Sequence, residues 1–76
     1  MLNRQQIKDY RILRGLPTRD VARFCEISQP LIVQIEKGER NLTEYNYREI
    51  INGINEAYLA KKNGTLKRKR SNTEWE

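Results

Sequence analysis

The chain has 76 residues, room for one small domain and too little for a second. Hydrophobic residues make up 37% of it, so the core is thin and depends on regular packing, a staple or a partner. A single cysteine, Cys25, excludes an internal disulfide, and without histidine there is no metal-site spacing to consider. The lone thiol is expected as a small buried or half-buried side chain in a reducing compartment. No apolar run approaches the roughly 18 residues of a membrane span, and no signal-peptide pattern opens the chain, so the expected location is cytoplasmic.

The net charge of +5 comes from 15 Lys and Arg against 10 Asp and Glu, and it is unevenly spread. Residues 1 to 60 carry nine basic and eight acidic side chains, residues 61 to 76 six and two. Most of the excess therefore lies near the end, chiefly in Lys67, Arg68, Lys69 and Arg70. A basic tail suits a polyanion partner, and it equally suits a solvated end that keeps a small domain in solution. Too few apolar residues follow Asn63 and Gly64 for that segment to fold by itself. Residues 1–62 read as the domain and 63–76 as a basic, disordered tail.

The first helical pattern spans Met1 to Arg14. Ile7, Tyr10 and Leu13 recur at intervals of three with Ile12 on the flank, Asn3 can cap the start, and Gly15 suits a helix C-terminus. Leu16 and Pro17 open the second element, where proline fits a first turn. Thr18 is the alternative cap, and Asp20 is placed to favour the positive helix end. Val21, Ala22 and Phe24 read as its buried side, with Ala22 small enough for a close helix crossing. Arg19 and Arg23 point outward, and the element stops near Phe24 or Cys25.

Cys25, Glu26 and Ile27 form the bend. Ser28 follows as an N-cap, Pro30 sits in the first turn, and the third helix runs to about Lys37, ended by Gly38. Wound at roughly 100° per residue, it puts Ile32, Ile35 and Glu36 on one face. Pro30, Gln34 and Lys37 occupy the opposite face, flanked by Leu31 and Val33. Glutamine, apolar flanks and one charge make that outward face a binding surface. After a loop from Glu39 to Leu42, Thr43 caps the last helix, whose Tyr47, Ile50, Ile51, Ile54, Ala57 and Tyr58 recur at three and four. Gly53 interrupts this stripe at a cost of about 1 kcal/mol relative to alanine and marks a candidate bend in a helix reaching about Lys62.

These residues carry a family resemblance. Arg11-Ile12-Leu13-Arg14-Gly15-Leu16, then Val21-Ala22, Ile27-Ser28-Gln29, Ile32, Ile35-Glu36-Lys37-Gly38 and Arg40-Asn41 together resemble the Cro/repressor-type helix-turn-helix, also called the XRE type. The likeness covers about residues 4 to 54 and holds one register throughout. It implies an all-α, compact four-helix or five-helix lambda-repressor-like domain, here with a long C-terminal helix and a basic tail.

In that family the second helix of the motif enters the major groove and its first turn reads base edges. Carried over by position, Gln29, Leu31 and Gln34 are the implied base readers. Glutamine can bond adenine bidentately at N6 and N7, and Leu31 or Val33 can meet a thymine methyl. The implied DNA-backbone contacts are Thr18, where the family often has glutamine, with Arg19, Lys37, Arg40 and Asn41. Arg11 and Glu36 match a pair that forms a partly buried salt bridge in similar repressors, a structural role. Three positions depart from the family pattern. Cys25 stands where the bend usually has glycine, Pro30 stiffens the reading helix and removes an amide, and the last helix is long. Tyr58 and Leu59 could supply a substitute dimer interface, with core packing an equal reading for Tyr58.

The implied function is a sequence-specific DNA-binding transcriptional regulator, of the kind found as prokaryotic or phage repressors. It would be cytoplasmic and nucleoid-associated, bind double-stranded DNA as a homodimer, and need no cofactor, membrane or small-molecule ligand. A protein-binding module, such as an antitoxin or phage inhibitor, could use the same helix face, and the tail alone could bind RNA. Enzyme activity is not expected, because histidine, a glycine-rich phosphate loop and clustered carboxylates are all missing from the sequence.

Overall fold

The computed structural model describes residues 1–64, which form four α-helices and no strand. The basic run Lys67 to Arg70 lies outside the described residues. Helix α1 spans Arg4–Ile12. Asn3 caps it reciprocally: its Oδ1 accepts from the Gln6 amide at 2.8 Å, and its own amide donates to Gln6 Oε1 at 2.9 Å. Gly15 ends the turn after it at φ 69°, a conformation that side chains resist. The helix is shorter than the apolar pattern suggested, and Leu13 is not part of the buried stripe. It is 83% exposed, while Arg11 turns inward instead.

Helix α2 spans Thr18–Ala22, with Pro17 at the N-cap position, so Thr18 is its first helical residue rather than its cap. Val21 is fully buried, Ala22 and Phe24 are half-buried, and Asp20 is buried as well, which its place in a first turn did not foretell. Helix α3 spans Gln29–Lys37 between Ser28, whose Oγ accepts from the Leu31 amide at 3.4 Å, and Gly38 at φ 85°. Helix α4 spans Glu44–Lys62 and starts on Thr43, whose Oγ1 accepts from the Asn46 amide at 3.1 Å. Glu44 in its first turn and Lys61 and Lys62 in its last complement the helix dipole.

One core joins the four. Ile7 of α1, Val21 of α2, Ile32 and Ile35 of α3, and Ile50, Ile54 and Ala57 of α4 form one cluster with Leu16 and Ile27 from the connections. Each fully buried isoleucine contributes roughly 1.5–3 kcal/mol, so a few side chains carry much of the stability. Helix α2 packs on both α3 and α4, and α1 packs on α3.

Helices α2 and α4 cross closely at Gly53. A Cβ built on Gly53 would stand 2.8 Å from the Val21 carbonyl oxygen, 3.0 Å from Val21 Cγ1 and 3.2 Å from Cys25 Cβ. Gly53 is therefore the small residue at the crossing, a role the sequence suggested for Ala22. Helix α4 runs unbroken through it, so there is no fifth helix among the described residues.

Polar ties hold α4 to the α1 end of the molecule. Lys61 Nζ donates to the carbonyls of Arg14 at 3.2 Å and Gly15 at 3.1 Å, and Tyr10 Oη donates to Asn55 Oδ1 at 2.8 Å. Tyr58 and Leu59 are 37% and 54% exposed, so Tyr58 is not a core residue. Arg14 stacks over the Tyr10 ring at 3.7 Å.

Candidate nucleic-acid interface

Helix α3 faces two ways. Ile32 and Ile35 enter the core, while Gln29, Pro30 and Lys37 are exposed and Gln34 is half-buried. What fixes its orientation is a set of polar anchors along its length. The strongest is the Arg11 guanidinium. Its Nε and Nη2 donate to the two carboxylate oxygens of Glu36 at 2.9 and 2.8 Å, and its Nη1 donates to the Leu16 carbonyl at 2.8 Å. The side chains of Arg11 and Glu36 are only 10% and 6% exposed. A buried pair repays its desolvation only with such bidentate geometry and further hydrogen bonds. Arg11 thus ties the last turn of α3 to α1 and to the link that leads into α2.

A second arginine does similar work without having been singled out in the sequence. Arg4 Nε donates to the Ile35 carbonyl at 3.2 Å, at the end of α3, where that oxygen also accepts from the Gly38 amide at 3.1 Å. Arg4, Ile7 and Arg11 stand at i, i+3 and i+7, one face of α1. That spacing was available in the sequence, but nothing there said which face would meet α3.

The bend is held from α4. The Glu26 amide donates to Glu49 Oε1 at 2.8 Å, and Cys25 Sγ lies 3.6 Å from the Ile27 carbonyl as a weak donor. Cys25 occupies the position where a glycine was expected, and the facing Gly53 leaves room for its Cβ. Burial pushes the Cys25 thiol above its ordinary range, with Glu49 and Glu26 adding to the rise and the bond to Ile27 opposing it.

Of the residues assigned to DNA, the structure joins two directly. Gln29 Nε2 donates to Thr18 Oγ1 at 3.1 Å, linking the first turn of α3 to the first residue of α2. The bond leaves Gln29 its Oε1 acceptor and a second amide hydrogen, the pair that adenine N6 and N7 require. Thr18 accepts in this bond, so its hydroxyl hydrogen remains available for a phosphate oxygen. Leu31 is half-buried and packs against the core, so only part of its side chain faces outward. Arg19, Lys37, Arg40 and Asn41 are exposed and make no side-chain hydrogen bond or ion pair among the described residues.

A family model described as Helix-turn-helix, HTH_3, matches residues 7–56. Comparisons with curated proteins and with solved structures give no match. The matched stretch runs from the first core isoleucine through the capped bend, α3 and the Gly53 crossing, and takes in two thirds of the chain. This chain belongs to the Cro/repressor-type, XRE-like helix-turn-helix family of DNA-binding regulators.

Proposed function

We propose that the chain is a sequence-specific repressor of the prokaryotic or phage kind that places α3 in the major groove. Gln29, Leu31 and Gln34 read base edges, and Thr18, Arg19, Lys37, Arg40 and Asn41 hold the phosphate backbone. The observation that supports this reading most is the Gln29–Thr18 hydrogen bond of 3.1 Å. It restrains a long polar side chain that solvent would otherwise leave free to rotate, and it sets that side chain beside a hydroxyl suited to phosphate. Restraint before binding lowers the entropy cost of each contact. Each bidentate glutamine–adenine contact is worth about 1–3 kcal/mol of discrimination. The protein acts as a homodimer on inverted half-sites about 34–36 Å apart, with the tail adding sequence-independent attraction.

Selection of bound duplexes from random DNA, with the mass of the complex measured, tests the reading. A palindromic site, two chains per duplex and affinity that falls steeply with salt are expected. Gln34→Ala should change the selected base at one position in each half-site. Unchanged affinity and unchanged base preference in that variant would overturn the assignment of α3 as the reading helix. Retention on a defined protein, with none on DNA at low salt, would transfer the same face to protein binding.

A further inference from the structure

Resting on the placement of α3 in the groove, we infer that Arg4 is an additional DNA-backbone contact, delivered by α1 to the phosphates that flank the end of the reading helix. The Arg4 side chain lies against the Gly38 turn. Its Cζ, Nε and Nη1 stand 3.5, 3.5 and 3.6 Å from where a Cβ on Gly38 would be. Gly38 takes φ 85° and opens the segment that leads to Arg40 and Asn41, so the guanidinium sits at the root of that loop.

Arginine carries five N–H donors, and only Nε is engaged here, on the Ile35 carbonyl. The four Nη hydrogens have no partner among the described residues, and Arg4 is exposed. Capping a helix end would need no more than one donor and a positive charge. A fork held by its stem with both terminal nitrogens open is the geometry that binds phosphate oxygens in pairs.

Electrostatics favour the same assignment. The C-terminal end of α3 carries the negative end of the helix dipole, about half a charge, which repels a phosphate brought near it. Residues 37 to 41 offset this weakly, since Lys37 and Arg40 are opposed by Glu39 for a balance of +1. Arg4 raises the balance to +2 and covers one of the terminal carbonyls itself. The charge sequence around the loop supplies too little is thereby brought from α1, more than thirty residues earlier in the chain.

The test uses the full chain and the duplex it selects from random DNA, with an unrelated duplex as control. The slope of log affinity against log salt is measured for Arg4→Gln and Arg4→Lys. Arg4→Gln should lower the slope by about one and weaken both duplexes by the same factor, leaving the ranking of base variants intact. Arg4→Lys should keep the slope near that of the parent. An unchanged slope in Arg4→Gln, with or without a lower melting temperature, would overturn the inference, because a purely capping role alters stability and not counterion release. If Gln34→Ala shifts base preference while Arg4→Gln leaves the slope alone, the groove reading stands and only the Arg4 contact falls. If the parent chain binds neither duplex, both fall together.

Discussion

A Cβ at Gly53 would lie 2.8 Å from the carbonyl oxygen of Val21, nearer than any relaxed contact allows, and that oxygen belongs to backbone that cannot swing aside. Two effects then compete in Gly53→Ala. Helix propensity favours alanine by about 1 kcal/mol, and overpacking at the α2–α4 crossing opposes it by about 1–3 kcal/mol. The clash also meets Val21 Cγ1 and Cys25 Cβ, so the crossing has no easy direction in which to relax. With the clash at the upper part of that range, the substitution should destabilise the domain by up to about 2 kcal/mol in urea titration. A gain in stability would show that the two helices separate more readily than their packing implies.

Arg11 and Glu36 make a different prediction, because each partner is buried and the other depends on it. Arg11→Met should cost about 3 kcal/mol or more by stranding the Glu36 carboxylate, enough to unfold much of so small a domain. Changing both residues to apolar side chains of similar size removes the stranded charge, and most of the loss should return. Denaturant midpoints of the two single variants and the double variant check this. A double variant no more stable than Arg11→Met would place the cost in the lost Leu16 carbonyl bond instead.

Thr18 is expected to act on specificity through Gln29. In Thr18→Val the acceptor at 3.1 Å disappears, and the glutamine amide regains the rotamers it had lost. Affinity for the selected duplex should fall by about 0.5–1.5 kcal/mol. The fall should be concentrated at the base pair that Gln29 meets, and the salt slope should not move, because a hydroxyl carries no charge. Competition among duplexes bearing all four base pairs at each position reads this out. A uniform loss at every position would mean that Thr18 serves the backbone alone.

Burial raises the Cys25 thiol, so near neutral pH it stays protonated and is a poor nucleophile. Alkylation by iodoacetamide at pH 8 should be slower in the folded protein than in urea. A group whose folded value is raised contributes stability in full below the unfolded value and loses it as pH climbs through the folded one. The thiol's contribution should therefore decline only on the alkaline side, and Cys25→Ala should remove that alkaline decline. Equal alkylation rates in the folded and unfolded chains would contradict the burial of Cys25 behind the bend.

Much of this molecule can be read from neighbours along the chain. Asn3, Ser28 and Thr43 each accept a bond from an amide three residues on, and Gly15 and Gly38 take positive φ where a helix has to stop. Those interactions need only local sequence, as do the division of α3 into a core face and an outer face and the register that reveals the family. Other features depended on a distant partner. Leu13 fitted the apolar spacing of the first helix, yet it faces solvent, because Arg11, two residues earlier and so on nearly the opposite face, is turned inward to Glu36. Gly53 looked like a flaw in an isolated helix, since propensity is counted per residue and a crossing is not. Only packing against Val21 made the absence of a side chain a requirement. Nothing in the sequence marked Arg4, whose guanidinium reaches the Ile35 carbonyl only because α1 lies along α3. Short-range hydrogen bonds and backbone sterics act within one turn and leave a mark in the sequence. Burial, close approach and charge placement arise between segments far apart in the chain, 32 residues for Val21 and Gly53 and 47 for Arg14 and Lys61, and the tertiary fold decides them.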